Sequence, residues 1–133
     1  MKQLVAFVVS NAAGCRYCQA HTSHSAEANG VSPEKIQAAF EFETSALFTA
    51  AEKAALRVAL HAGMVPNAVE PEHMAALKEH FSDKQCVEVV AVIPLFGFLN
   101  RWNDTMATTL EETPRAFASE TIAGAGWEVG KHG

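Results

Sequence analysis

Two cysteines three positions apart lie in the segment Gly14-Cys15-Arg16-Tyr17-Cys18-Gln19-Ala20-His21-Thr22-Ser23-His24, beside two histidines and the two aliphatic hydroxyls of Thr22 and Ser23. A Cys-x-x-Cys pair that opens a helix can pass between dithiol and disulfide without unfolding anything, so the chemistry these residues suggest is redox chemistry. Unpaired N–H groups and the helix dipole at such a start lower thiol pKa values and favour a thiolate, and Arg16 adds positive charge. At about 100° per residue, Cys18 lies about 60° around the axis from Cys15 and one turn along, so the two sulfurs meet. Thr22 falls between those directions, His21 lies about 120° from Cys15, and His24 points nearly opposite. His21 or His24 is the expected holder of the proton that a thiol gives up, and Tyr17 packs on the helix or donates a hydrogen bond.

Other uses of these residues fit less well. Zinc needs four ligands converging tetrahedrally, and Cys15, Cys18, His21 and His24 on one straight helix diverge. Covalent haem attachment requires His directly after the second cysteine, where this chain has Gln19. No metal and no cofactor is therefore expected. The third cysteine, Cys86, sits in an apolar run and reads as a small core hydrophobe.

The elements that must position the pair belong to one domain: 133 residues, 49% of them apolar, are enough for a core that needs no disulfide or metal staple. The net charge of −5 and the lack of any basic cluster oppose binding to nucleic acid or to an anionic membrane. The longest apolar run, Val87 to Leu99, is shorter than the roughly 20 residues of a membrane span and contains Glu88 and Pro94, so it reads as a buried helix. Met1 to Ala13 has the look of a short leader, but cleavage there would remove the helix before the thiols. Three cysteines, one of them isolated, suit a reducing cytoplasm.

The fold class read from the pattern is all-α, with about six helices. Residues 3–12 are too continuously apolar for a surface element. Asn11 and Gly14 break the chain before a thiol helix from about Cys15 to Asn29, which Asn29-Gly30 stops. Ser32-Pro33-Glu34 opens a helix to about Phe42, and Thr49 with Glu52 forms a capping box for another that ends at His61-Ala62-Gly63. Glu70-Pro71-Glu72 begins a helix to His80, and Ser82 with Gln85 caps the longest, to about Glu112, with a kink expected at Pro94. Residues 113–133, punctuated by Pro114 and several glycines, read as an irregular tail whose Trp127 docks on a neighbouring subunit or on its own core. His61, His73 and His80 read as surface caps near helix ends, and the phenylalanines, Phe98 among them, as core or interface.

With that picture in place, the thiol segment resembles the alkyl hydroperoxidase D (AhpD-like) and carboxymuconolactone decarboxylase family. The resemblance extends to Phe48-Thr49-Ala50-Ala51-Glu52-Lys53-Ala54-Ala55-Leu56, to His80-Phe81-Ser82-Asp83, and to Phe98-Leu99-Asn100-Arg101-Trp102-Asn103-Asp104, and so covers most of residues 3–112. It implies an all-helical domain over 1–112, assembly into trimers or hexamers, and reduction of hydroperoxides by the thiol pair. On that analogy Cys18 is the attacking thiolate, Cys15 resolves the sulfenic acid into a disulfide, and an external dithiol protein restores both. The helix dipole most favours Cys15, but burial and hydrogen bonds outweigh half a unit of dipole charge, so Cys18 is the expected attacker.

Two positions depart from the redox members of that family. The glutamate they place twelve residues before the first cysteine is here Gln3, an amide that cannot accept a proton. The histidine four residues beyond the second cysteine is here Thr22, with His21 one residue early. A relay would have to be rebuilt from His21, His24 and water, or from Glu27, and weakened peroxidase activity is the expectation. Arg101 reads either as part of a polar helix end that pairs across a subunit interface or as a pocket residue that orients an anionic substrate. The family's decarboxylase or lactone-processing branch is a second functional reading, although that chemistry has no use for a thiol pair. A non-catalytic oligomeric binding protein is a third.

Overall fold

The computed structural model describes residues 1–133 as seven α-helices with no strand. In chain order they are α1 (Lys2–Ala12), α2 (Arg16–Ala28), α3 (Pro33–Ala38), α4 (Ala50–Gly63), α5 (Pro71–His80), α6 (Asp83–Met106) and α7 (Glu112–Thr121). α1 is the central rod: Leu4 through Ser10 are all buried, and α2, α4 and α6 pack around it. The continuous run of apolar residues is what such a position requires, because no face of the helix meets water. At one end α4 closes tightly on α1, where a Cβ on Gly63 would sit 2.8 Å from that of Ala12.

Local chemistry sets the helix starts as the sequence indicates. Ser32 accepts from the Lys35 N–H, and the Thr49–Glu52 and Ser82–Gln85 boxes are both closed. His73 stands at the start of α5, where its ring accepts the Glu70 N–H, and is no C-terminal cap. The turn after α3, Ala39–Glu41, tightens into a 3-10 turn before Phe42.

Three expectations change. First, α6 stops at Met106, where Ala107 takes a left-handed conformation (φ 48°), and does not run on to Glu112. Second, α6, which holds Pro94 within its span, is not a buried helix: Cys86, Val89, Ile93 and Asn100 face inward, while Val87, Leu95, Phe98, Trp102 and Met106 are exposed. Third, the tail is not irregular. Pro114 falls in the first turn of α7, where its missing N–H costs nothing, and Pro114, Ala118 and Ile122 form a buried stripe. Through α7 and the 3-10 turns Ala123–Ala125 and Gly130–His132, the tail folds back on its own core, with Trp127 buried. No helix is long and apolar enough to cross a membrane.

Candidate active site

The corner between α1 and α2 places the thiols. Gly14 (φ +72°) supplies the left-handed residue that lets the chain reverse, and the Cys15 N–H bonds the Ser10 carbonyl at 3.2 Å. Cys15 is then the N-cap of α2, and its sulfur accepts the Cys18 N–H at 3.3 Å. The sulfurs are 2.8 Å apart, an unbonded thiol pair in hydrogen-bond contact, and both residues are buried.

The charge of that pair belongs on Cys15. The hydrogen bond shared with Cys18 holds the Cys15 thiol below its ordinary range, and the Cys18 N–H adds to this against the cost of burial. The same shared bond pushes Cys18 up, as do burial and the negative charge of Cys15, while the Asn103 amide, 3.9 Å from the Cys18 sulfur, pulls weakly the other way. This polarity agrees with the helix-dipole argument and runs opposite to the roles that the family resemblance implies.

Around the pair the C-terminal segment forms a strap. The Arg16 guanidinium donates to the Gly126 carbonyl at 2.9 Å, and the Trp127 indole N–H returns to the Arg16 carbonyl at 3.0 Å. Glu111 takes the Tyr17 hydroxyl at 3.2 Å and the His21 ring at 2.7 Å, with the two rings stacked at 4.5 Å. Burial, followed by the Glu111 charge, raises the Tyr17 phenol. On the α6 side, Asp104 is held by Lys131 at 2.9 Å, and its field reaches both sulfurs.

The residues expected at the site separate accordingly. Cys15, Cys18, Tyr17 and His21 are brought together, the last through Glu111. His24 is not: it packs on Phe117 of α7, ring centroids 5.6 Å apart, on the far side of the helix that its angle indicated. Glu27 is exposed, twelve residues and so roughly 18 Å along α2 from Cys15. Thr22 spends its hydroxyl on the Cys18 carbonyl of its own helix at 2.7 Å. Gln3 sits in the first turn of α1, roughly 14 Å along that helix from the corner, and makes no hydrogen bond to the thiol helix. Glu111, Lys131, Trp127 and His132 enter from the tail, and only Trp127, the one large apolar residue there, gave a signal in the sequence.

A cavity of about 840 Å³ opens between α1, α4 and α6, walled by Val9, Val58, Met74 and Ile93. Its polar end holds Asn100, Arg101 and Asp104. The Asn100 amide is buried with neither atom hydrogen-bonded, and Arg101 has no acidic partner. Arg101 lines this pocket.

Known proteins resemble this chain over part or most of its length. Residues 1–61 match the model of the carboxymuconolactone decarboxylase family. The debrominase Bmp8 superposes with a TM-score of 0.85 at 41% identity, over 90% of this chain and 64% of Bmp8, so the chain spans less than two thirds of that enzyme. A cysteine-to-alanine variant of Bmp8 in complex with 2,3,4-tribromopyrrole matches at 0.85 and 40%. The Agrobacterium tumefaciens protein ATU0492, of unknown function and named for the antioxidant defence protein AhpD, shares the fold at 20% identity with a TM-score of 0.78, over 84% of this chain and 77% of its own. The uncharacterized protein YdfG of Bacillus subtilis (strain 168) is 28% identical over 104 residues, 77% of this chain and 68% of YdfG. Residues 1–61 thus share the pattern of the carboxymuconolactone decarboxylase family, and the helical architecture as a whole is the AhpD-like fold.

Proposed function

We propose that the chain is a thiol-disulfide oxidoreductase that reduces a small apolar electrophile with the Cys15–Cys18 pair. The observation that carries this reading is the sulfur pair itself, 2.8 Å apart with its charge directed to Cys15. With a hydroperoxide, the Cys15 thiolate attacks the terminal oxygen, the O–O bond breaks, and the departing alkoxide takes a proton. Cys18 then attacks the Cys15 sulfenic acid, releasing water and closing the disulfide. An external dithiol protein returns two electrons and two protons. A reducing, cytoplasmic setting suits that cycle.

The 41% identity to a debrominase favours a second substrate class for the same electrons. With an electron-rich bromoaromatic, the Cys15 thiolate takes the bromine, and the ring carbon takes a proton. Cys18 displaces bromide from Cys15 as the disulfide forms. The net change, R–Br plus two thiols to R–H, disulfide and HBr, balances as the peroxide reaction does. The cavity beside Asp104 has the size and apolar walls for either substrate, and Arg101 at its rim suits one that carries negative charge. The uncovered apolar side of α6, with Phe98 and Trp102 stacked 6.1 Å apart, supports self-association into a homo-oligomer.

The test is stopped-flow consumption of cumene hydroperoxide, and bromide release from 2,3,4-tribromopyrrole, with dithiothreitol as reductant. Cys15→Ser abolishes the first turnover. Cys18→Ser keeps one turnover and stops with modified Cys15. Full turnover in either variant contradicts the reading.

A further inference from the structure

The tail carries into the interior one ionisable side chain that the chemistry above does not use. His132 is 0% exposed, and its ring packs on Tyr17 with centroids 5.8 Å apart. Its main chain is tied down as well, the carbonyl accepting the Leu110 N–H at 2.8 Å. Nδ1 lies 2.8 Å from the Thr108 carbonyl oxygen. A carbonyl only accepts, so Nδ1 carries the hydrogen and the tautomer is fixed. Nε2 then faces the Asp104 carboxylate at 3.6 Å, sealed from water and without a hydrogen-bond partner. Without a proton on Nε2, a buried lone pair faces a half-exposed carboxylate; with one, the contact becomes an ion pair. Asp104 follows Asn103, whose amide lies 3.9 Å from the Cys18 sulfur, so its charge stands near the pair and disfavours both thiolates, while Lys131 on the same turn as His132 favours that of Cys15.

We propose that Asp104 and His132 form a proton-holding pair that governs ionisation of the Cys15–Cys18 dithiol, with His132 as the positioning residue. With Nε2 protonated, His132 joins Lys131 in offsetting the Asp104 charge and favours the Cys15 thiolate; with Nε2 bare, Lys131 alone offsets that charge and the thiolate is less favoured. The ring is faced by Tyr17 from α2, with Cys15 and Cys18 on the same helix, by Asp104 from α6 and by Lys131 of its own turn, while Glu111 and His21 sit beyond Tyr17. The inference rests on the thiol reading of the preceding subsection and adds to it the group that tunes the thiols. Nothing in the Cys-x-x-Cys segment supplies that control, since Thr22 is tied to its own helix and His21 to Glu111.

The experiment is the rate of iodoacetamide alkylation of the reduced protein between pH 4 and 10, with Cys15 located by mass spectrometry. Asp104→Asn removes the charge, and His132→Asn keeps an N–H for the Thr108 carbonyl while deleting Nε2. At pH 6, Asp104→Asn alkylates about three- to tenfold faster than wild type and His132→Asn slower by a similar factor, the size expected of one nearby charge. Opposite displacements are the signature, because lost packing alone would move both variants the same way. Profiles that move together, or not at all, overturn the proposal. If His132→Asn does not fold, the wild type decides: the ¹⁵N shift of His132 Nε2 must change where Cys15 reactivity changes, and Cys15→Ser must move that pH. An imidazole indifferent to Cys15→Ser overturns it. Failure of the redox reading looks different, with both cysteines alkylating like free cysteine in every protein.

Discussion

Trp127 locks the strap over the start of α2, and weakening it should expose the thiols by a calculable amount. Cys15 and Cys18 are 0% and 3% exposed, so a thiol reagent reaches them only when the strap lifts. Trp127→Phe keeps most of the buried ring but loses the indole N–H to the Arg16 carbonyl, at a cost of about 1 kcal/mol. If the strap opens locally, that cost appears as about a fivefold rise in alkylation rate at fixed pH. Trp127→Ala also gives up the apolar contacts of a side chain only 5% exposed, about 3–5 kcal/mol, which predicts a rise of roughly a hundredfold or more. The assay is monobromobimane labelling followed by mass spectrometry, with thermal unfolding run in parallel. A fall in Tm without faster labelling in either variant would refute the strap as the barrier, since the thiols would then be reached by a route that Trp127 does not control.

Gln3→Glu should change hydroperoxide consumption by less than about twofold, because a carboxylate in the first turn of α1 stands too far from the corner to exchange a proton with Cys15; stopped-flow kinetics decide this, and a large gain would restore Gln3 to the relay. Lys35 and Glu52, 2.6 Å apart and mostly buried, give a pH-dependent prediction. Burial pulls Glu52 up, but Lys35 and the Thr49 cap outweigh it and leave Glu52 below the ordinary 4.5. A depressed carboxylate stabilises the fold above its unfolded pKa and loses that contribution as pH falls through the folded value. Glu52→Gln should therefore cost about 1–2 kcal/mol at pH 7 and almost nothing near pH 3, as read from urea unfolding at the two pH values.

How much of this was legible in the sequence depends on how local the cause is. The helix starts at Ser32, Thr49 and Ser82 are decided within four residues, and each closed as its cap residues indicate. The sulfur contact is equally local, since an N-cap side chain reaches the third residue beyond it at a helix start. α7 was missed because Pro114 reads as a breaker unless its place in the first turn is known, and its stripe of one proline, one alanine and one isoleucine is thinly apolar. The outer face of α6 was misread because an apolar run shows hydrophobicity without showing what covers it. His132, Trp127 and Glu111 meet the thiol helix across about 90 to 115 residues of chain, and no spacing rule reaches that far.

The most direct measurement is the intact mass and disulfide map of the reduced protein after one equivalent of cumene hydroperoxide, and separately after one equivalent of 2,3,4-tribromopyrrole. At least one of the two is expected to produce a single Cys15–Cys18 crosslink, with Cys86 still a free thiol and one equivalent of cumyl alcohol or of bromide released. Cysteines that stay reduced with both substrates, or oxidation that falls equally on Cys86, would contradict the redox reading.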